Sequence, residues 1–568
     1  MKRKQWEFGK SWKDGTIRGE YPRSISLPAP TSNTPTLQDD TASRIDQDTC
    51  GSATLILSTG SAVETVADID PGERRLNELG YKQELKREVS LLKCVGFGFS
   101  TVGLFAGILL YGPSFAYTGP VGLVWGWFIV SFFTGFIGLA LAEICSSFSG
   151  MCMCLWASEN LTTGSLYFWT AHLAGPRYGP FASWVCAWLE IVGLIAGAGT
   201  QAYSGAQVLQ YIVLLSTGTN KDGGYFASRG VFYSIYFGFC LIWAILNTFA
   251  LKIVAMIDVV SLYWQVVGGA LIIILVPSIA PVTQSAKYVF THYEKSTELT
   301  GIHSNPYALV LSLLFSQFAL LGYDAPAHLT EETKNADRNG PMAILVTTGL
   351  MFSVGCGVIL SLTFSIQDPA YLFDPLNETG GGFVAAQILY DAFYGRYGSG
   401  TGAVVLLCVY ALSRDGGTPG SRIWKKLHPI YKVPANAVWL SSFITALIGL
   451  PVLGTNVAFT AIVSVSSIGW MGSYAIPIFL RMIMLRKNFT PGPFHLGKAS
   501  RAICAVAFLW ICYSSSVFLL PTLYPLTLES FNYAPVALGV VLSFIMSWWI
   551  LDARKWFSGP VRNIIVDK

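Results

Sequence analysis

Asp324 sits in an apolar run from Ala308 to Leu329, two residues after Gly322 and two before Pro326. Gly322 lowers helix propensity and Pro326 removes a backbone donor, so together they interrupt a helix and free carbonyls and amides within it. In a membrane such groups must be met by a neighbour, by water or by a ligand. A carboxylate at that depth is costly and is a functional candidate by default; the bland alternative is a helix end wetted by the cytosol. The chemistry on offer is reversible binding of a small charged molecule beside a group able to hold a proton. Glu190 lies in a second apolar run, Trp188-Leu189-Glu190-Ile191-Val192. It can relay a proton, meet a cationic group or, when protonated, bond to a neighbouring helix. A third run, Cys94 to Gly107, holds Gly96, Gly98, Ser100, Thr101, Gly103, Ala106 and Gly107. Such small residues suit unwinding around a ligand or close helix packing.

These residues need membrane helices to position them. The chain has 568 residues, 52% hydrophobic and 12% charged, with a mean hydropathy of +0.50. A soluble domain carries about 25% charged residues, so a water-soluble multidomain enzyme is excluded. Apolar runs near the length of a spanning helix, about 20 residues, start near Val95, Leu123, Phe181, Val231, Ile253, Tyr307, Met342, Ala435, Val457, Ala502 and Pro535. Runs of this length fit helices and not barrel strands. One more run, Ala403 to Leu412, is short. The reading is an all-α polytopic membrane protein with twelve expected spans, the eighth cut short.

Lys82, Lys86, Arg87 and Lys93 precede the first span, which places the N-terminus in the cytosol. If Ala403–Leu412 belongs to a crossing, Lys and Arg then gather on the cytosolic side, as at Arg414, Arg422, Lys425, Lys426 and Arg481. Lys221, Arg229, Lys287, Lys295 and Arg396 fall opposite. Both termini are expected inside. Asn377-Glu378-Thr379 is then the one sequon facing away from the cytosol, and it is weak evidence of a glycan because it needs a secretory route. Residues 1–80 are rich in Pro, Ser, Thr and Asp and read as a disordered polar tail. Residues 81–93 read as an amphipathic helix before the membrane, 94–551 as the transmembrane domain and 552–568 as a cytosolic tail. The N-terminal segment carries Glu7, Asp14 and Glu20 among its cations. Transit peptides are poor in acids. Plasma membrane, Golgi and mitochondrion all stay open as destinations.

Other polar groups have blander readings. Glu143 and Asp258 fall near span ends, where carboxylates normally face water. His328, Glu331 and Glu332 read as caps of the cytosolic end of the sixth span. Thr460, Ser464, Ser466 and Ser467 in the tenth span are expected to bond to backbone or to neighbouring helices. The cysteines show no CxxC or Cys/His ligand cluster and read as reduced packing residues. No phosphate loop, nucleophile motif or metal spacing is present, so no cofactor, metal or nucleic acid is expected.

Several ordered blocks carry a family resemblance. They are Lys82 to Arg87, Ala142-Glu143-Ile144-Cys145-Ser146-Ser147, Leu173-Ala174-Gly175-Pro176-Arg177, Gly322-Tyr323-Asp324-Ala325 with His328 and Glu331-Glu332-Thr333, Arg338-Asn339-Gly340-Pro341, Ser413 to Gly416, Pro434 to Leu440, and Pro491-Gly492-Pro493-Phe494. Over roughly residues 70–565 the chain resembles the amino acid–polyamine–organocation superfamily. Within its amino acid/choline transporter family it looks closest to the plant bidirectional amino acid transporter and GABA permease group. The resemblance implies a LeuT-like five-plus-five inverted repeat plus two helices. It implies an amino acid substrate whose carboxylate and amine meet the unwound first and sixth spans, at Ser100, Thr101, Gly103, Ala106, Gly107, Phe318, Gly322 and Tyr323. Phe318 matches the gating-aromatic position, and Asp324 looks like a carboxylate linked to proton coupling in some bacterial relatives. Of the superfamily's Gly-Ser-Gly pattern in the first span, only Gly107 matches, in Phe105-Ala106-Gly107.

Two departures stand out. Residues 148–165 exceed the family's short Gly-rich link by about a dozen residues, which a loop tolerates cheaply. The ten apolar residues of the eighth span would rise about 15 Å, half the hydrocarbon thickness. Without a crossing there, every downstream loop would invert. An alternative splice product or a faulty gene model would explain both departures. The expected function is a secondary-active permease of amino acids, with GABA among the substrates, working by alternating access with protons as the coupling partner and the lipid bilayer as solvent. A choline or polyamine permease, and a non-transporting variant or sensor of the same architecture, stay open as alternatives.

Overall fold

Helices follow the apolar runs in a computed structural model of the chain. It describes residues 89–101, 107–148, 166–330, 332–412, 435–454, 457–483 and 489–559. The polar tail over 1–80 lies outside these residues, as do Gly103, Ala106, Glu331 and the side chain of Asp258. The first span opens with α1 (Leu91–Ser100), capped by Ser90, whose hydroxyl accepts the Lys93 amide. Val89 is not helical. Its amide donates to Glu332 O at 2.8 Å and its carbonyl accepts from Lys334 N at 3.0 Å, an isolated bridge to Thr333. The helix expected over 81–93 therefore does not run unbroken into the first span, because Val89 takes its backbone bonds from the segment after the sixth and Ser90 caps α1.

Two Gly-Pro pairs divide long helices. In α2 (Tyr111–Ser147) the break is Gly119, with φ 66°, followed by Pro120. In α3 (Leu166–Thr217) it is Gly175, with φ 72°, followed by Pro176. Glycine accepts the left-handed turn that ends one helix, and proline is pre-set to begin the next. The first part of α2 thus completes the first span, and the rest is the second. The third span is α3 beyond Gly175. The fourth and fifth are α4 (Arg229–Phe249) and α5 (Leu251–Ile279). Short α6 (Ala286–Thr291) and α7 (Thr297–Thr300) lead to the sixth. That span is in three pieces, α8 (Asn305–Ser312), α9 (Leu314–Ala319) and α10 (Ala325–His328).

The seventh span is α11 (Ala336–Phe364), and α12 (Val384–Tyr397) precedes the eighth, α13 (Thr401–Leu412). The last four are α14 (Ala435–Ile448), α15 (Ala458–Ile483), α16 (Ser500–Phe518) and α17 (Ala534–Leu551). The twelve residues of α13 rise about 18 Å. Residues 413–434, where the family's eighth helix would continue, lie outside the described residues. Among the described residues, seven helices are each long and apolar enough to cross a membrane.

The bundle exposes apolar side chains that water would not tolerate in such number, among them Phe132, Ile242, Met256, Ile274, Val540 and Phe544. Its densest crossing joins α3 to α15. A Cβ on Gly193 would stand 2.7 Å from Trp470 N, and one on Gly469 would stand 2.6 Å from Gly193 N. Paired glycines let the two backbones touch. Ser466 Oγ then donates to Gly193 O at 3.1 Å. Ser464 and Ser467 bond to carbonyls one turn back in their own helix, as expected for this span. Val89, Phe148, Tyr167, Phe489 and Phe557 mark one end of the bundle, here the terminal face; Tyr167 packs on Phe557 and Phe148 on Phe489. Tyr117, Asn220, Asn377 and Thr522 mark the distal face.

Candidate functional site

The sixth span breaks where Gly322 and Pro326 predict. α9 ends at Ala319 with Leu320 as its C-cap, and Gly322 takes φ 95°, a conformation that glycine reaches without strain. Pro326 sits in the first turn of α10, where its missing amide costs nothing. The turn between them carries Tyr323 and Asp324, 1% and 2% exposed.

The first span stops opposite. α1 ends at Ser100, and the Thr101 amide turns back to Phe97 O at 3.2 Å. The Thr101 hydroxyl has one proton and three carbonyls within reach, Gly98 O at 2.9 Å, Gly322 O at 3.2 Å and Phe97 O at 3.3 Å, so it links the two interruptions when it donates to Gly322. The Ser100 carbonyl accepts from Gln265 Nε2 of α5 at 3.4 Å. A Cβ on Gly98 would stand 2.7 Å from Pro326 Cγ, which shows how closely α1 and α10 lie. Helical geometry is described again at Gly107, where a Cβ would stand 3.0 Å from Ala319 Cβ, one residue past the buried Phe318. Ser100, Thr101, Gly322, Tyr323 and Asp324 therefore converge, and Gly107 and Phe318 share the neighbouring half of the same helix pair.

Asp324 has partners that the sequence reading missed. Tyr474 of α15 donates to Asp324 Oδ1 at 2.5 Å. His328, one turn on from Asp324, places Nε2 3.2 Å from Asp324 Oδ2. The same nitrogen is 3.5 Å from Glu190 Oε1 on α3. The α3–α15 glycine crossing explains the meeting, since Glu190 is three residues before Gly193 and Tyr474 five after Gly469. His328 is thus not a solvated cap. The i,i+4 spacing of Asp324 and His328 was the available signal, because residues four apart share a helix face. Glu190 is 2% exposed.

The chain matches the amino acid permease family over residues 89–542. It belongs to that family. It is 43% identical over 516 residues to the amino-acid permease BAT1 homolog of Oryza sativa subsp. japonica, covering 87% of this chain and 96% of that one. To amino-acid permease BAT1 of Arabidopsis thaliana it is 41% identical over 530 residues, covering 90% and 100%. To an uncharacterized amino-acid permease of Schizosaccharomyces pombe it is 30% identical over 510 residues, covering 87% and 90%. Amino acid permeases are multi-pass membrane transporters and not enzymes.

In this amino acid permease, blocks that are distant in sequence meet at the terminal face. Glu143, expected to face water, is 1% exposed. Arg481 at the end of α15 sets Nε 3.4 Å from Glu143 Oε2 and Cζ 3.8 Å from the centre of the Phe489 ring. Leu496 N donates to Glu143 Oε1 at 3.2 Å, and Ser500 Oγ donates to Oε2. The segment after Phe489 folds across the span end and removes it from solvent. Ser146 Oγ donates to Asp337 O and accepts from Phe494 N, drawing the seventh span into the same knot.

At the distal face, Asn377 is also buried. Its amide nitrogen donates to Tyr371 O and Leu372 O, and its oxygen accepts from Thr379 N and Gly381 N. In the folded chain this sequon side chain holds a loop and presents nothing for a glycan. Glu378 accepts from Lys221 at 3.0 Å, Tyr371 at 2.8 Å and Gln387 at 2.8 Å. Burial acts to raise its pKa, but these three donors outweigh burial and hold it below the ordinary 4.5. Nearby, a cavity of about 720 Å³ opens between Phe115, Glu294, Lys295, Asp368 and Tyr371.

Proposed function

We propose that this permease moves amino acids, GABA among them, by alternating access at the paired interruptions of the first and sixth spans. The observation that carries the reading is the 3.2 Å approach of the Thr101 hydroxyl to the Gly322 carbonyl, which supports one site shared by the two interruptions beside Asp324. A zwitterion offers an ammonium and a carboxylate to backbone groups that helices normally keep for themselves. Substrate-contacting residues would be Ser100, Thr101, Gly103, Ala106, Gly107, Phe318, Gly322 and Tyr323, with Asp324 and Glu190 carrying protons. The cavity between Phe115 and Tyr371 would serve as a vestibule on the distal face. The Lys and Arg bias puts the terminal face and both chain ends in the cytosol. A choline or polyamine substrate would call for an intramembrane carboxylate to meet its cation, and the approach of Glu190 to His328 gives that charge a partner within the protein.

The test is uptake of radiolabelled GABA and other amino acids into proteoliposomes, wild type against Asp324→Asn. The reading expects saturable amino acid uptake by the wild type, and a mutant whose pH dependence is lost. No uptake of any amino acid by folded wild-type protein would end the reading. Unchanged pH dependence in the mutant would remove Asp324 from coupling.

A further inference from the structure

His328 Nε2 lies near two carboxyl oxygens, Asp324 Oδ2 at hydrogen-bond distance, 3.2 Å, and Glu190 Oε1 at an ion-pair distance of 3.5 Å, where Oε1 is buried and, among the described residues, has no hydrogen-bond donor. Three lone pairs cannot point at one another across such distances in a buried site. At least one proton must therefore lie among the nitrogen and the two oxygens. The groups around them are weak acids. Tyr323 and Tyr474 pack beside Asp324 with ring centres 5.7 Å apart and planes tilted by 43°. Cys186 on α3 donates to Ser473 O, and Cys94 on α1 contacts Thr333 Oγ1. Among the described residues neither Asp324 nor Glu190 pairs with a lysine or arginine.

We propose that Glu190, His328 and Asp324 form one shared proton site in which His328 bridges the third span to the inner half of the sixth. The proposal rests on the transport reading and deepens it. Asp324 and His328 belong to the same turn and helix, so they move together; Glu190 belongs to α3. When α10 swings away from α3, the imidazolium stays with Asp324, and Glu190 is left as a lone carboxylate in a buried site. A lone buried carboxylate is far more costly than a protonated one. Glu190 then takes a proton from the face to which the site has opened, forming an O–H bond on its carboxyl. When α10 returns and the site faces the opposite side, that O–H bond breaks and the proton passes to water at that face, because the imidazolium again balances the carboxylate. One proton is bound and released per cycle at Glu190, and His328 makes that exchange depend on conformation.

The experiment uses full-length permease in proteoliposomes. Two quantities are read for one radiolabelled amino acid: counterflow without a pH gradient, and accumulation driven by a pH gradient. For Glu190→Gln and His328→Gln, the proposal expects measurable counterflow at some reduced rate, with gradient-driven accumulation lost to the level of the gradient-free control. In the double variant, removing His328 should harm counterflow less than in the single variant, because a neutral residue 190 needs no imidazolium. Wild-type ratios of accumulation to counterflow in both single variants would overturn the proposal. So would strictly additive losses in the double variant, which would mark His328 as a packing residue. Absent counterflow in the wild type would instead end the underlying transport reading.

Discussion

The Thr101 hydroxyl and the Gly322 carbonyl, 3.2 Å apart, join the end of α1 to the turn before α10. Thr101→Val keeps the shape and removes the donor. One neutral hydrogen bond contributes about 0.5–1.5 kcal/mol net, so the variant folds and the loss falls on the geometry of the breaks. Thermal unfolding should shift little, and KM for amino acid uptake should rise several-fold by order of magnitude. Thr101→Ser should restore most of it. An unchanged KM in Thr101→Val would separate this bond from substrate binding.

Gly98 tests the fit of α1 on α10 directly. An added Cβ would meet Pro326 Cγ and Thr347 Oγ1, each at 2.7 Å. A proline ring cannot swing aside, so Gly98→Ala must push the helices apart. Overpacking of this kind costs about 1–3 kcal/mol. The expected result is a lower midpoint of thermal unfolding together with slowed uptake. Full stability would mean that the helices separate at this point without penalty.

The legible part of this fold was local. Gly322 and Pro326 act on their own backbone, so the break in the sixth span could be read from a few residues, and the apolar runs gave the spans. The partners of Asp324 could not be read that way. Glu190 reaches His328 because Gly193 and Gly469 let two distant helices touch, and the sequence shows those glycines without saying which helix each one meets. Glu143 shows the converse error. Hydropathy places it at a span end, but water is excluded there by the segment from Phe489 to Ser500, whose path the span pattern does not contain. Asn377 matches a sequon by type, and its backbone bonds in the folded loop decide against that use.

Glu143 and Arg481 form a buried ion pair in which each side chain is nearly inaccessible, at 1% and 4% exposed. Arg481 Nη1 has no hydrogen-bond partner, so the pair is imperfectly satisfied. Removing one partner strands the other charge and costs about 3–5 kcal/mol, whereas replacing both with neutral groups costs much less. Glu143→Gln and Arg481→Met should each lower the unfolding midpoint of the purified protein strongly. The double variant should recover part of that loss. Additive losses would mean that the two side chains do not act as a pair.

Glu378 predicts an acid dependence at the distal face. Its folded pKa lies below the ordinary 4.5, held there by Tyr371, Lys221 and Gln387 against the effect of burial. A depressed carboxyl stabilises the fold above its unfolded pKa, and that contribution is lost as pH falls through the folded value. Wild type should therefore be more stable than Glu378→Gln at neutral pH, with the gap closing below pH 4.5. A gap that is independent of pH would assign the effect to packing and not to charge.

Gln317 offers a test that links stability to binding. It lies on α9 one residue before Phe318, is 0% exposed, and has no hydrogen-bond partner at either Nε2 or Oε1. An unpaired buried amide costs about 1–3 kcal/mol in proteins, a strain that packing alone gives no reason to keep. An amide offers a donor at one end and an acceptor at the other, which matches a ligand carrying both a carboxylate and an ammonium. Gln317→Leu removes the unpaired groups at similar volume, so the substrate-free protein should unfold at a higher temperature. The same variant should lose much of the upward shift that a saturating amino acid gives the wild type, because binding then gains nothing from completing the amide. Higher stability with an undiminished substrate shift would make Gln317 a packing defect and remove it from the site.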